Sequence, residues 1–267
     1  MITLKKVVNK FLWIFNQFGI DLLKFMAATL GFVFYLRDFV AYKLNGIEKG
    51  IPVTFKPCLT DRFSFAANLD FEYFYQDLYV SKLIYSRRPV IHYDIGSRVD
   101  GFVSQVSIFT KVLVFDIRPL DIEVPNIDFK QMDLSTNEIS SELEDSTSSL
   151  SCLHTLEHLG LGRYGDPIIN TALINFVKNL SKMLKNSGIL YVSFPIGRRR
   201  VEFNANNIFN IQEMNLLFKE FNLAPLKFYL YNNRSIADRS DLIVGSEIYF
   251  EETSDSLAIL ELIKVTQ

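Results

Sequence analysis

The stretch Val90–Phe102, VIHYDIGSRVDGF, decides the fold. A β-rich run, Val90–Ile95, ends on an acid and breaks at Gly96, where the chain can turn without a Cβ in the way. The same grammar follows downstream. Lys111–Asp116, KVLVFD, is a second strand closed by an acid. Ile127–Met132 is a weaker third with Asp133 behind it, and Ser149–Leu153 is the apolar part of a fourth. Thr171–Lys185 carries apolar residues at helical spacing, and Asn186-Ser187-Gly188 is expected to cap it. Gly188–Phe194 is a fifth strand, stopped by Pro195. Ile211–Phe221 is a helix, and Lys227–Tyr231, Glu247–Glu251 and Leu257–Lys264 are late strands. Near-continuous apolar strands separated by helices and loops predict a mostly parallel α/β sheet covered on both faces.

Upstream, the pattern differs. Residues 1–44 hold no proline and long apolar stretches, so they are expected to be helical, and Asn45–Pro57 is a connector rich in Gly and Pro. Asn68–Ser86 is aromatic-rich and helical in spacing. The domain boundary is therefore expected at residue 88, with a helical, aromatic extension over 1–88 and the α/β domain over 89–267. Of 24 Phe, 12 Tyr and 1 Trp, roughly half fall before residue 80, so the extension is an apolar layer. The uncharged runs Phe11–Ile20 and Phe25–Leu36 are both shorter than the ~20 residues of a membrane span. Packed amphipathic helices are expected, with a membrane-surface contact or a homodimer through them as the other readings. No convincing signal-peptide cleavage site follows Lys5-Lys6, which with the composition leads to a cytoplasmic expectation, peripheral to the inner face of the membrane if the helices touch it.

The 267 residues carry a net charge of −2, with 28 Lys and Arg against 30 Asp and Glu. No basic field advertises nucleic-acid binding. Two cysteines, Cys58 and Cys152, cannot make a disulfide framework, which suits a reducing compartment.

In an open α/β sheet ligands sit beyond the carboxyl ends of the strands. Asp94, Asp116 and Asp133 all fall there. Asp116 follows Asp94 at roughly the 20-residue spacing at which an acid grips ribose hydroxyls. Arg98 occupies the place of the second glycine of G-x-G-x-x-G, so the dinucleotide fingerprint is absent. Acids that merely cap helices, a nicotinamide-dependent oxidoreductase, and a non-catalytic nucleotide-binding or interaction module of the same fold are the competing readings.

An acid-x-Gly turn followed by an acid ending the second strand resembles class I S-adenosylmethionine-dependent methyltransferases. The resemblance implies a seven-stranded Rossmann-like sheet and S-adenosylmethionine as cofactor. It places Asp94, Gly96 and Ser97 at the methionine end, Asp116 with Ile117 at the ribose, and Asp133 with Leu134 at the adenine. More specifically, PCLTDRF (57–63), YDIGSRVDGF (93–102), VFDIRPL (114–120), SLSCLHTLEHLGLGRYGDP (149–167) and PIGRRRVEFNA (195–205) look like an uncharacterised domain-of-unknown-function family in that superfamily. Its members are often associated with surface-polysaccharide biosynthesis, which implies O-methylation of a small, sugar-like acceptor. Ile168-Ile169-Asn170-Thr171 departs from the family's usual Asp-Pro-Asp-Gly, so the acceptor is expected to differ.

Ser149–Pro167 is chemically the densest segment. A hydroxyl acceptor benefits from a base near neutrality. His154 or His158 is expected to be that base, oriented by Glu157 or Asp166, with Arg163, Tyr164 and Asp166 against the acceptor. The same residues spell His-x-x-Glu-His, an inverted zinc-protease motif. Zinc would need one continuous helix and a third ligand, whereas this motif follows a strand and runs into Gly160, Gly162 and Gly165, so no metal is expected. Arg198-Arg199-Arg200 follows the fifth strand. Arg198, with Glu202 and Asn204, is a candidate for holding an anionic acceptor, because guanidinium forks suit phosphate and carboxylate.

Overall fold

The computed structural model describes residues 2–44, 56–63, 69–136, 138–251 and 254–266. The connector expected over Asn45–Pro57 lies outside them except for its last two residues. Two compact units divide between Leu69 and Asp70.

In the first unit, α1 (Ile2–Gln17) and α2 (Leu22–Leu44) are joined through Gly19, whose φ of +77° makes the turn. Asp21 begins α2 by accepting from the Lys24 backbone N–H at 2.8 Å. Counting uninterrupted apolar runs misjudged this region. α2 continues through Lys24 and Arg37 for 23 residues, and its most apolar 18-residue window has a mean hydropathy of 1.3, so the helix is long and apolar enough to cross a membrane by length and composition. Nor is it packed as expected: Gly31 is its one fully buried residue.

The second unit opens with α3 (Phe71–Arg87), started by the Asp70 side chain and ended by Arg88 in the left-handed region. Its main sheet contains β1 (Ile91–Ile95), β2 (Lys111–Asp116), β3 (Ile127–Gln131), β4 (Thr147–Leu153) and β5 (Leu184–Ile196). A small hairpin, β6 (Arg200–Glu202) and β7 (Asn206–Ile208), comes next. Then follow β8 (Leu223–Asn232), β9 (Ser235–Asp238), a second small hairpin of β10 (Ile243–Val244) and β11 (Glu247–Ile248), and β12 (Ser256–Lys264). The helices are α4 (Ser104–Ser107), α5 (Ala172–Met183) and α6 (Ile211–Glu220).

The sheet order is β3-β2-β1-β4-β5-β12-β8-β9. β3 to β5 are parallel, and β12 runs antiparallel between β5 and β8. This is a mostly parallel Rossmann-like sheet with eight strands rather than seven. The eighth, β9, pairs with β8 across Asn233-Arg234, both at positive φ, as a two-residue hairpin turn requires. Glu247–Glu251 was expected to be a late strand. Its first two residues instead pair with β10 around Gly245, outside the main sheet. The expected glycine cap after α5 is also different. The helix stops at Met183, and residues 185–188 bulge from β5, so that Thr147 faces Leu184 while Ser149 faces Ile189.

Both faces are buried. On one, Phe176, Val177, Leu180, Met214 and Phe218 of α5 and α6 pack on Leu150, Val192, Phe194 and Leu260. On the other, Val80 and Ile84 of α3 join Phe102, Val106, Val112, Val114, Tyr191 and Ile259. α3 thus belongs to the α/β unit, and the boundary falls nearer residue 70 than 88. Its last turn also supplies Arg87 to Glu261, a carboxylate on β12 with 2% exposure that Tyr229 bonds at 2.6 Å. A buried charge needs such partners.

Candidate functional site

β1 and β4 are neighbours at the point where the strand order reverses, so their carboxyl ends open the crevice in which such sheets bind ligands. A cleft open to solvent lies there. Its walls come from four strand ends and the segments after them: Gly96; Asp116, Ile117 and Arg118; Met132 to Ser135; and His154, Thr155, His158 and Leu159. Tyr164, Asp166 and Phe176 complete it.

The loop after β1 is built on a buried acid. Asp94 is 0% exposed. It accepts from the Ser97 backbone N–H at 3.1 Å, the Ser97 hydroxyl at 2.8 Å and the Ser151 hydroxyl at 2.5 Å. Ser151 and Ser149 also sit 2.8 Å from the two ring nitrogens of buried His92. Burial pushes Asp94 up to about 7 against the lowering effect of these bonds, and burial pulls His92 down to about 3. Asp94 and Ser97 were expected to meet a cofactor. Asp94, fully buried, does not line the cleft and shapes the turn, while Ser97 lines an adjoining pocket that shares Asp116 and Arg118 with it. Gly96, with φ +79°, does line the cleft. A Cβ on it would come within 2.6 Å of Thr155 Oγ1, so this glycine lets the β1 and β4 loops touch.

Asp116 lines the cleft at the end of β2, and Arg118, two residues on, grips it. The Arg118 backbone N–H and Nε donate to Oδ1 at 2.8 and 2.9 Å, and Nη2 donates to Oδ2. A carboxylate has about four acceptor positions, so one on Oδ2 is left for a ligand hydroxyl. Asp133 accepts from the Ser135 N–H at 2.8 Å and from the Ser135 and Thr136 hydroxyls. Burial raises its pKa, but these bonds outweigh that and hold it below the usual carboxylate range. Phe115, Met132, Leu134, Leu159 and Phe176 give the cleft an apolar slot beside these acids. A flat apolar base with a dihydroxylated ring fits such a set, and so S-adenosylmethionine fits the residues present.

The segment after β4 carries the titratable cluster. His154 has φ +49°, a strained backbone for a non-glycine residue and one found mainly where surroundings enforce it. Its Nδ1 is 2.8 Å from Glu157 Oε1, its Nε2 is 3.5 Å from Glu72 Oε1, and the Tyr73 ring lies tilted against its own with centroids 4.4 Å apart. Burial alone would lower the His154 pKa. The Glu157 bond, with the charges of Glu157, Glu72 and Asp77, outweighs it and raises the value. Among the described residues, His154 Nε2 and Glu157 Oε2 are buried without a hydrogen-bond partner. Tyr73 is raised to about 12, by burial first and then by Glu157; burial raises Asp77 to about 6.

His158 differs. Its Nδ1 is 2.8 Å from the Ala205 carbonyl, and Arg163 Nη1 approaches at 3.2 Å from Nδ1 and 3.5 Å from Nε2. Burial lowers its pKa below the ordinary imidazole value. The Tyr164 ring lies under both Arg118, at 4.9 Å, and Arg163, at 5.4 Å. Asp166 accepts from the Gly162 and Tyr164 backbone N–H groups and fixes this loop. His-x-x-Glu-His lies on a strand end and a single tight turn, Leu156–His158, and among the described residues no three such side chains are placed to hold a metal ion.

The structure thus brings Gly96, Asp116, Ile117, Asp133, Leu134, His154, His158, Tyr164 and Asp166 to one cleft. It places Glu157 and Arg163 directly behind. Arg198, Glu202 and Asn204 lie outside the cleft lining, on or beside the β6–β7 hairpin. There Arg200 is clamped between Glu202 and Asp255, and Arg199 reaches Glu213 at 3.5 Å. Arg198 is exposed, and no ion pair holds it among the described residues. Sequence reasoning missed Arg118, Tyr73, Glu72 and Asp77. The first was detectable as a cation two residues after a strand-end acid. The others sit on a helix whose contact with the β4 loop is not a sequence signal.

The fold and cleft define a Rossmann-like methyltransferase fold. N-methyltransferase NodS from Bradyrhizobium japonicum WM9 superposes with a TM-score of 0.50 at 14% identity, over 74% of this chain and 99% of that one. The same protein in complex with S-adenosyl-L-homocysteine gives 0.50 and 14% over 74% and 89%. A candidate methyltransferase from Bacillus halodurans C-125 gives 0.50 at 10% identity over 72% and 100%. At these identities the likeness is one of fold. No curated protein matches the sequence. The chain belongs to the family described as Caenorhabditis protein of unknown function, DUF268, whose model matches residues 109–243.

Proposed function

We propose that this protein is an S-adenosylmethionine-dependent methyltransferase that methylates a hydroxyl of a small, sugar-like acceptor. The observation that carries the reading is one cleft at the β1/β4 switch point. It joins an apolar slot, an acid with one free acceptor position, and a neutral histidine. The cofactor, when bound, supplies an electrophilic methyl group. Asp116 would hold a ribose hydroxyl, with Arg118 fixing the carboxylate plane. Phe115, Met132, Leu134 and Phe176 would flank the adenine and exclude water.

His158 is the base. Its Nδ1–H donates to the Ala205 carbonyl, so Nε2 carries the lone pair, and Arg163 Nη1, 3.5 Å from it, would have to yield that position to the acceptor proton. His154 is suited to a different task. Two carboxylates face its nitrogens, so it favours the imidazolium and balances Glu157 and Glu72. A sugar-like acceptor from surface-glycan synthesis is supported by the family resemblance, and an anionic one by the exposed Arg198.

Calorimetric titration with S-adenosylmethionine tests the cofactor. Binding that Asp116→Ala weakens about tenfold or more, the scale of losing a hydrogen bond to a charged group, supports the reading. Binding of a nicotinamide cofactor instead, or of neither, overturns it.

A further inference from the structure

We propose that α1 and α2 bind in the plane of an anionic lipid bilayer surface, independently of the chemistry of the cleft. Exposure of α2 is patterned. Ala27, Gly31, Phe34 and Asp38, at helical spacing, form the covered stripe. A Cβ on Gly31 would strike the Leu59 carbonyl; Phe63 packs at 6.1 Å on Phe34, and Arg62 lies 5.0 Å over the same ring and pairs with Asp38. The opposite side presents Phe25, Phe32, Val33, Leu36, Val40 and Leu44, all exposed. An apolar face of this extent marks an interaction surface.

Charge selects the occupant. Residues 1–44 carry Lys5, Lys6, Lys10, Lys24, Arg37 and Lys43 against Asp21 and Asp38, in a chain whose net charge is −2. α1 has the same character: Lys6, Asn9, Lys10 and Gln17 share one side at helical spacing, and Val7, Phe11, Ile14 and Phe15 the other. Lysines beside an apolar face describe a helix that lies at the headgroup boundary, and each contributes about 1 kcal/mol near an anionic leaflet. Packing decides between lying and spanning. With the Leu59 carbonyl seated on Gly31 near the middle of α2, a span would carry irregular polar backbone into hydrocarbon, which lipid does not tolerate. The in-plane orientation keeps Leu59, Arg62 and Asp38 on the water side.

Flotation of the full chain with phosphatidylcholine vesicles, with and without phosphatidylserine, tests this. The chain should float with the anionic vesicles and be stripped by sodium carbonate. Phe32→Glu with Leu36→Glu, and separately Lys6→Glu with Lys10→Glu, should each lower the bound fraction about tenfold with the thermal unfolding of the α/β unit unchanged. Three results overturn the proposal: no flotation with either vesicle; a stable dimer that Phe32→Glu with Leu36→Glu splits, the face then being covered by a second copy; or retention after carbonate, the mark of a spanning helix.

Discussion

His154 Nδ1 and Glu157 Oε1 lie 2.8 Å apart within one turn of chain, with 8% and 2% of the side chains exposed. The two are a buried hydrogen-bonded pair, and the histidine's pKa is raised despite burial. Removing the charge of Glu157 while keeping its shape leaves burial opposed by Glu72 and Asp77 alone. In Glu157→Gln the His154 pKa, followed by proton NMR of the imidazole, should therefore fall by about a unit or more. An unchanged value would mean that Glu72 holds the proton and that Glu157 only packs.

His158 gives the complementary expectation. Its pKa is lowered, mainly by burial, so the histidine is neutral at pH 7 and its protonation, which abolishes base function, occurs below the usual ~6.5. The acid limb of the turnover profile should therefore fall below pH 6.5. His158→Gln should lower turnover by ~10²–10⁴-fold, the range of a general base, with cofactor affinity unchanged. Loss of cofactor affinity with turnover of the bound enzyme preserved would remove His158 from the base role.

Ile91–Ile95 and Lys111–Asp116 were legible because they are mostly buried inside the sheet and so spell apolar runs that carry an acid at the carboxyl end, whereas Ile127–Gln131, the half-exposed edge strand, gave the weaker signal. The roles of those acids were less legible. Asp94 and Asp116 look alike in sequence, yet one is enclosed by Ser97 and Ser151 and the other faces the cleft. Position along a strand does not report which way the following loop folds back. Helix α3 escaped assignment to the α/β unit for a similar reason. Its aromatic stripe suits any apolar partner, and Arg87 finds Glu261 across 174 positions of sequence.

Asp94 also predicts a pH dependence of stability. Its folded pKa of about 7 lies above the ordinary carboxylate value of 3.8. Between those values the folded state binds more protons than the unfolded chain, so this group's contribution is full below about pH 3.8 and is lost as pH rises through 7. His92 works the other way, since its folded value of about 3 lies below 6.5. The unfolded chain then binds more protons, and stability rises with pH between 3 and 6.5. The two oppose each other in wild type. Asp94→Asn removes the first, so its stability relative to wild type should improve from pH 4 to pH 7.5, by at most about 4 kcal/mol. Urea unfolding at the two pH values measures it, and a pH-independent difference would place the Asp94 proton elsewhere.

Gly96 and Thr155 give the last test. The β1 loop turns at φ +79°, and a Cβ there meets Thr155 Oγ1 at 2.6 Å and Cγ2 at 2.9 Å. Gly96→Ala therefore suffers two independent penalties, a left-handed backbone and an overlap, and should destabilise the protein by roughly 2–4 kcal/mol. Thr155→Ala removes the overlap but not the backbone strain, and also forfeits the hydroxyl's bond to the Leu153 carbonyl at 3.1 Å. The double variant should accordingly be more stable than the sum of the single losses predicts, by about 1 kcal/mol or more, with a residual loss that no change at residue 155 recovers. Additive losses in that cycle would show that the two loops do not press on each other, and that Gly96 is required by its turn alone.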